Sequence, residues 1–323
     1  MQSFWKKLPR PFFAMAPMAD VTDPAFRRLV SRHGKPDITW TEFVSADGLY
    51  HTREIQKMTD ADNPLMRDLQ FTDAERPIVA QIFSSKPEMI AYATKLAFDL
   101  GFDGVDLNMG CPDSSIEKQQ AGAALIKTPA LAVELIRAAQ SASPLPVSVK
   151  TRIGYSREVL DEWLPALLSV KPAAITLHLR TRKEMSAVPA HWELLPRAVE
   201  LRNKLAPGVL FIGNGDVRDL ADARAKVAAA GCEGAMLGRA IFGNPWVFAG
   251  RKSEDIPLSE KLSALVELAH DFEKLSPPKS FHILKKHIKA FVTGFDGAAD
   301  LRAKLMDTQS ADGLQRVVDS AHL

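Results

Sequence analysis

The chain has 323 residues, 46% of them hydrophobic, and a formal net charge of +2. That is enough apolar material for one large domain and a small one, and too balanced a charge to announce a nucleic-acid partner by itself. With two cysteines only, Cys111 and Cys232, a disulfide scaffold and a four-thiolate metal site are excluded.

Met1 to Arg10 lacks the apolar core of a signal peptide, and no stretch approaches the roughly 18 unbroken apolar residues of a spanning helix. We expect a cytoplasmic monomer with no membrane segment. Short apolar runs follow at Phe12–Met15, Ile38–Thr41, Ile78–Ile82 and Gly104–Asn108. Four more lie at Val147–Lys150, Ala174–His178, Leu210–Gly213 and Gly234–Gly238. Helix-period segments separate most of them: Pro87–Leu100, Pro129–Ala142 and Asp216–Ala230. Asp216 and Asp219 suit the N-terminus of the last. Eight strands alternating with helices predict a parallel (β/α)8 TIM barrel. A doubly wound open sheet is the other arrangement, but it usually has a glycine-rich turn after its first strand, and none follows Met15.

The pattern changes after Phe248. Glu254–Leu258 reads as a linker, and Ser259–Leu275, Ser280–Thr293, Ala298–Met306 and Ala311–Ala321 read as helices. The chain therefore divides into a barrel, residues 1–250, and a small all-helical C-terminal domain, residues 251–323.

Polar residues cluster where the runs end, which is the working face of a barrel. The third run ends near Gln81. The fourth ends in Asn108 and, past Gly110, Cys111. The fifth ends in Lys150-Thr151-Arg152 and the sixth in His178-Leu179-Arg180-Thr181-Arg182. Long cations at one strand end commonly just reach for solvent. Polar ends on four strands of one rim point to a site. A free thiol is mostly protonated near neutral pH, so Cys111 can donate a proton. Cysteine is also a common core residue, and Cys232 reads as packing. After the seventh and eighth runs, Gly213-Asn214-Gly215-Asp216 and Gly238-Arg239 offer turn amides and a guanidinium to a phosphate. The competing reading is an ordinary glycine turn with an Asp cap. A phosphorylated cofactor across the barrel mouth fits, its ring near Gln81, Lys150 and His178; flavin mononucleotide (FMN) has that shape. The histidines and carboxylates show no ligand spacing, so no metal is expected.

The chain resembles the tRNA-dihydrouridine synthase family through nearly its whole length. The matching runs are Ala16-Pro17-Met18-Ala19-Asp20-Val21-Thr22-Asp23-Pro24-Ala25-Phe26-Arg27, Thr41-Glu42-Phe43-Val44-Ser45-Ala46, Asn108-Met109-Gly110-Cys111-Pro112, Ala121-Gly122-Ala123-Ala124-Leu125 and Val149-Lys150-Thr151-Arg152-Ile153-Gly154. Gly213-Asn214-Gly215-Asp216, Gly238-Arg239 and Asn244-Pro245-Trp246 complete them. The resemblance implies an FMN barrel that reduces a tRNA uridine with electrons from NADPH. It implies that Cys111 protonates C5 of the uracil while hydride reaches C6. Pro17, Met18 and Ala19 would border the flavin, and Gln81, Lys150 and His178 would contact its ring. Asn214, Gly215, Asp216, Gly238 and Arg239 would hold its phosphate. Asn108 and Arg152 would lie near the uracil.

Three places depart from the family pattern. Leu179 stands where Gly is usual, Gln120 precedes Ala121-Gly122, and Lys183-Glu184-Met185-Ser186-Ala187 differs. These affect the loop over the substrate, and so the uridine chosen. Arg180 and Arg182 are candidates to meet the RNA backbone. The helical part adds Lys279, His282, Lys285, Lys286, His287 and Lys289, with His282, Lys286 and Lys289 on one helical face. That face, with Lys286 at its centre, is expected to contact tRNA, against the plain alternative of a solvated basic helix. Two other functions remain: an FMN enzyme acting on a free pyrimidine, and a barrel that binds tRNA without catalysis.

Overall fold

The computed structural model describes residues 3–321. Residues 1, 2, 322 and 323, which the predicted domain bounds include, lie outside the described residues. All eight predicted strands form: β1 (Phe12–Met15), β2 (Thr39–Trp40), β4 (Ile78–Phe83), β5 (Gly104–Met109), β6 (Val147–Gly154), β7 (Ala174–Thr181), β8 (Leu210–Asn214) and β9 (Gly234–Leu237). A short β3 (Val44–Ser45) adds a second pairing on β4. Every pairing is parallel, in the order β1-β9-β8-β7-β6-β5-β4-β2. The parallel bridge Ala14–Ile38 joins β1 to β2 and closes the ring. This is the TIM barrel that the alternating runs predict.

Side chains alternate along each strand, as the pleat requires. Phe12 and Ala14 point into the barrel with Ile38, Trp40, Val79, Ile212 and Met236. Phe13, Met15, Ile78, Ala80 and Phe211 face the surrounding helices. Trp5 packs on Phe12 and Trp40, with ring centroids 6.1 Å from each. It plugs the end where the strands begin. The opposite end, where they finish, stays open.

The helices Pro87–Asp99 and Pro129–Ala142 stand where expected. The helix predicted from Asp216 starts instead at Leu220, because the Asp219 side chain caps it by accepting from Asp222 N. Asp216 is thus in the loop before the helix, and Gly215-Asp216 do not form a helix N-terminus.

The C-terminal helices are Leu258–Glu273, Lys285–Phe291, Ala298–Met306 and Ala311–Ser320. The helix expected over Ser280–Thr293 is broken: a 3-10 turn, Phe281–Leu284, leads into Lys285–Phe291. These helices share one hydrophobic cluster with the barrel's outer layer. Polar ties reinforce the contact. Lys279 Nζ meets Glu42 at 2.9 Å and Asp68 at 3.3 Å, and Arg67 Nη1 donates to the Pro277 carbonyl oxygen at 3.1 Å. Two of the six basic residues named in the helical part, neither of them on the expected face, do not reach the surface. Lys279 is buried in that ion cluster, and His287 is buried between the rings of Phe26 and Phe242. His282, Lys286 and Lys289 are exposed. Among the described residues no helix is long and apolar enough to cross a membrane.

Candidate active site

A cavity of about 990 Å³ opens at the C-terminal end of the barrel. It is lined by Pro17, Met18 and Ala19 after β1, Gln81 on β4, and Asn108 and Cys111 at the end of β5. Lys150 and Arg152 come from β6, His178 and Arg180 from β7, Asn214, Gly215 and Asp216 from β8 and its loop, and Gly238 and Arg239 from the loop after β9. Strand register explains the convergence. Asn108 is paired with Lys150, and Arg152, His178, Asn214 and Met236 form one row across four strands. Two sequence candidates lie elsewhere. Arg182 pairs with Glu117 at 2.5 Å beside the Tyr155 ring, and Lys286 lies on the helical surface near Asp20, 3.3 Å away.

The Cys111 loop is held in part by three hydrogen bonds. Asn108 Oδ1 accepts from the backbone N–H groups of Gly110 at 3.1 Å and Cys111 at 3.0 Å. Ala123 N donates to the Cys111 carbonyl oxygen at 2.9 Å. Gly122 makes that approach feasible: its φ is +62°, and a Cβ there would sit 2.7 Å from the Cys111 oxygen. Burial raises the Cys111 thiol above its ordinary pKa, and the Asp113 amide only partly opposes this. At neutral pH the group is a protonated thiol.

Cations dominate the floor. Burial, and then Arg152, push Lys150 down to about 8; Asp106 acts against them. Its ammonium donates to Asn214 Oδ1 at 3.2 Å. Burial and the surrounding cations, Lys150 foremost, hold His178 well below its ordinary pKa. Arg180 Nη1 approaches His178 Nε2 at 3.2 Å, and a guanidinium can only donate. His178 is therefore neutral and protonated on Nδ1. Asp216 accepts from Arg180, from Arg239, and from Ala190 N at 2.8 Å. Burial works against its ionisation, but these donors keep its pKa below the usual carboxylate value.

The residues matched by the dihydrouridine synthase (Dus) family model run from 14 to 322. The chain belongs to the dihydrouridine synthase family. It is 40% identical over 322 residues to the Bacillus subtilis protein named "Probable tRNA-dihydrouridine synthase 2", covering 98% of this chain and 96% of that protein. It is 39% identical over 321 residues to the "Probable tRNA-dihydrouridine synthase" of Staphylococcus aureus strain COL, covering 98% and 95%. Among solved structures, histamine dehydrogenase from Rhizobium sp. 4-9 matches with a TM-score of 0.53 at 13% identity, covering 95% of this chain and 61% of that one. That likeness extends to the barrel architecture.

Met185 and Ser186, from the loop expected over the substrate, line the cavity of this family member, and so do Phe43, Asp113 and Arg218, which the sequence did not single out. Phe43 sits within a run that carried the resemblance, and Asp113 follows Cys111-Pro112. Asp106, buried below the floor, carried a signal of its own: a carboxylate in mid-strand, two residues from Asn108 and on the same face.

Proposed function

We propose that the chain reduces the C5–C6 double bond of a uridine in tRNA to 5,6-dihydrouridine, using FMN and NADPH. The observation that carries this is the protonated Cys111 thiol on a braced loop above a cation-lined cavity. The donor set suits an anionic planar cofactor. Lys150 and neutral His178 offer donors at the floor, and Arg239 stands at the rim among the turn residues Asn214, Gly215 and Gly238. FMN, when bound there, supplies hydride for uracil C6 and receives its electrons from NADPH.

Pro17, Met18 and Ala19 form an apolar edge that keeps water from the ring. Gln81, Lys150 and His178 orient the ring, and Lys150 provides positive charge where negative charge accumulates. Asn214, Gly215, Asp216, Gly238 and Arg239 hold the phosphate. In this arrangement Asp216 is an organiser: it fixes the two guanidinium groups, which then face the anion. Cys111 Sγ–H delivers the proton to C5, and Asn108 and Arg152 bound the uracil. A stacked uridine cannot reach this depth, so it must leave its stack, at a cost of a few kcal/mol. Residues 251–323 are assigned to grip the tRNA, through the face of His282, Lys286 and Lys289. Arg182, on the outer side of the Cys111 loop, is assigned to the RNA backbone.

The test is anaerobic. The purified protein should show flavin absorption that NADPH bleaches and unmodified tRNA restores, with dihydrouridine appearing at a mapped position. Cys111→Ala should retain bleaching and RNA binding and lose uridine reduction by about a hundredfold or more. Reoxidation by a free pyrimidine but not by tRNA would transfer the activity to a small substrate. Failure to take up FMN would leave a barrel that only binds RNA.

A further inference from the structure

Asp106 lies in β5, fully buried beneath the cavity floor. A charge there is costly unless its oxygens are used. Both are used. Oδ1 accepts from Ser148 Oγ at 2.6 Å, and Oδ2 accepts from Gln81 Nε2 at 2.6 Å. Burial raises the pKa of Asp106 to about 6, so at neutral pH it is still ionised. An ionised carboxylate only accepts, so Gln81 must turn its NH2 toward Asp106 and its Oε1 away. That Oε1 takes Asn108 Nδ2 at 3.3 Å. Asn108 is left with Oδ1 toward the backbone N–H groups of Gly110 and Cys111. Backbone N–H groups only donate, so the far end of the chain requires the same setting. The carboxylate at one end and the amides at the other select a single orientation of both side-chain amides.

We infer that Asp106 is a positioning residue for Cys111, acting through Gln81 and Asn108 to hold the thiol-bearing loop over the cavity. The inference rests on the assignment of Cys111 as proton donor. If packing were the only demand on position 106, an aliphatic residue would meet it without burying a charge.

The variants Asp106→Ala and Asp106→Asn test this with two readouts. One is single-turnover formation of dihydrouridine in unmodified tRNA. The other is alkylation of Cys111 by iodoacetamide, followed by mass spectrometry, with buried Cys232 as the internal reference. Asn keeps a carbonyl oxygen for Gln81 and turns its NH2 to Ser148 Oγ, whose hydroxyl can still reach the Val105 carbonyl oxygen at 3.4 Å. Ala offers neither group.

Asp106→Ala should slow uridine reduction by about a hundredfold, as a small misplacement of the acid would. It should speed alkylation of Cys111 several-fold and leave Cys232 protected. Asp106→Asn should bring both readouts to within about threefold of the parent. Combined with Asn108→Ala, Asp106→Ala should add no further loss, because both cut one chain. Additive losses, or wild-type reactivity of Cys111 in Asp106→Ala, would overturn the proposal. Should Asp106→Ala expose Cys232 as well, its fold has failed, and Gln81→Met cuts the same chain one link on. Cys111 alone must then gain reactivity, and an unchanged Cys111 overturns the proposal. If the parent makes no dihydrouridine while Cys111 reactivity changes as stated, the positioning role stands and the reaction assigned to the thiol falls.

Discussion

Arg152 Nε donates to the Gly110 carbonyl oxygen at 2.8 Å, one residue before Cys111. Its Nη1 also reaches the carbonyl oxygens of Thr181 at 3.2 Å and Met185 at 3.3 Å. One buried guanidinium thus braces the Cys111 loop against the end of β7 and the segment that follows it. Arg152→Ala should therefore lower kcat by about a hundredfold, since the loop loses its brace. Arg152→Lys should recover little, because one ammonium cannot span three carbonyls set for a fork. Steady-state rates on unmodified tRNA, with kcat separated from KM, decide this. An effect on KM alone would mean that Arg152 only binds substrate.

Lys150 gives a pH prediction. Its pKa is about 8 in the fold, against an ordinary 10.5. Between those values the unfolded chain binds the extra proton, so this group makes the cofactor-free protein more stable as pH rises from 8 to 10.5. Binding should move the other way. The ammonium needed by an anionic ligand is lost above pH 8, so FMN affinity should fall there. Fluorescence titration across pH 7 to 10 should show that decline in the parent. Lys150→Met should bind weakly and without the decline. A parent whose affinity is flat across this range would place the controlling charge elsewhere.

Asp216 ties two guanidinium groups, one of them, on Arg180, only 3% exposed. Asp216→Ala leaves that buried cation without its carboxylate, which should cost about 3 kcal/mol of stability. Asp216→Asn should cost less, since its carbonyl oxygen can still accept from Ala190 N or from Arg180. Denaturant unfolding of the three proteins measures the order. Equal losses for Ala and Asn would mean that charge, not hydrogen-bond geometry, governs the cluster.

The strands and the cavity rim were legible for a local reason. Strands buried on both faces must be apolar, so polar endings such as Lys150–Arg152 and His178–Arg182 mark where each strand leaves the core. Fates set by distant partners were not legible. Lys279 reads as one more surface lysine until Glu42, 237 residues away, and Asp68 close around it. Arg182 looks equivalent to Arg180 in the sequence, yet Glu117 claims one and Asp216 the other. The helix start at Leu220 turned on which of two aspartates, Asp216 or Asp219, serves as the cap. Asp216 had been taken up by Arg180 of β7 and Arg239 of the loop after β9.

The exposed cations of the helical part give the last prediction. Lys286 and Lys289 lie on the surface, and among the described residues the one ion pair of Lys286 is with the exposed Asp20, at 3.3 Å. Exposed pairs of this kind contribute about 0–1 kcal/mol, so charge reversal should barely alter the melting temperature. If this face meets phosphates, each lysine displaces counterions on binding, and its loss flattens the dependence of log Kd on log salt by about one unit. The double variant Lys286→Glu/Lys289→Glu should weaken tRNA binding tenfold or more at about 0.1 M salt, and its salt slope should be shallower by about two. Turnover of tRNA at saturation should survive, because neither residue borders the cavity. Binding isotherms at four salt concentrations test all three statements. An unchanged slope would show these lysines to be a solvated helix face and send the search for the RNA grip back to the barrel rim.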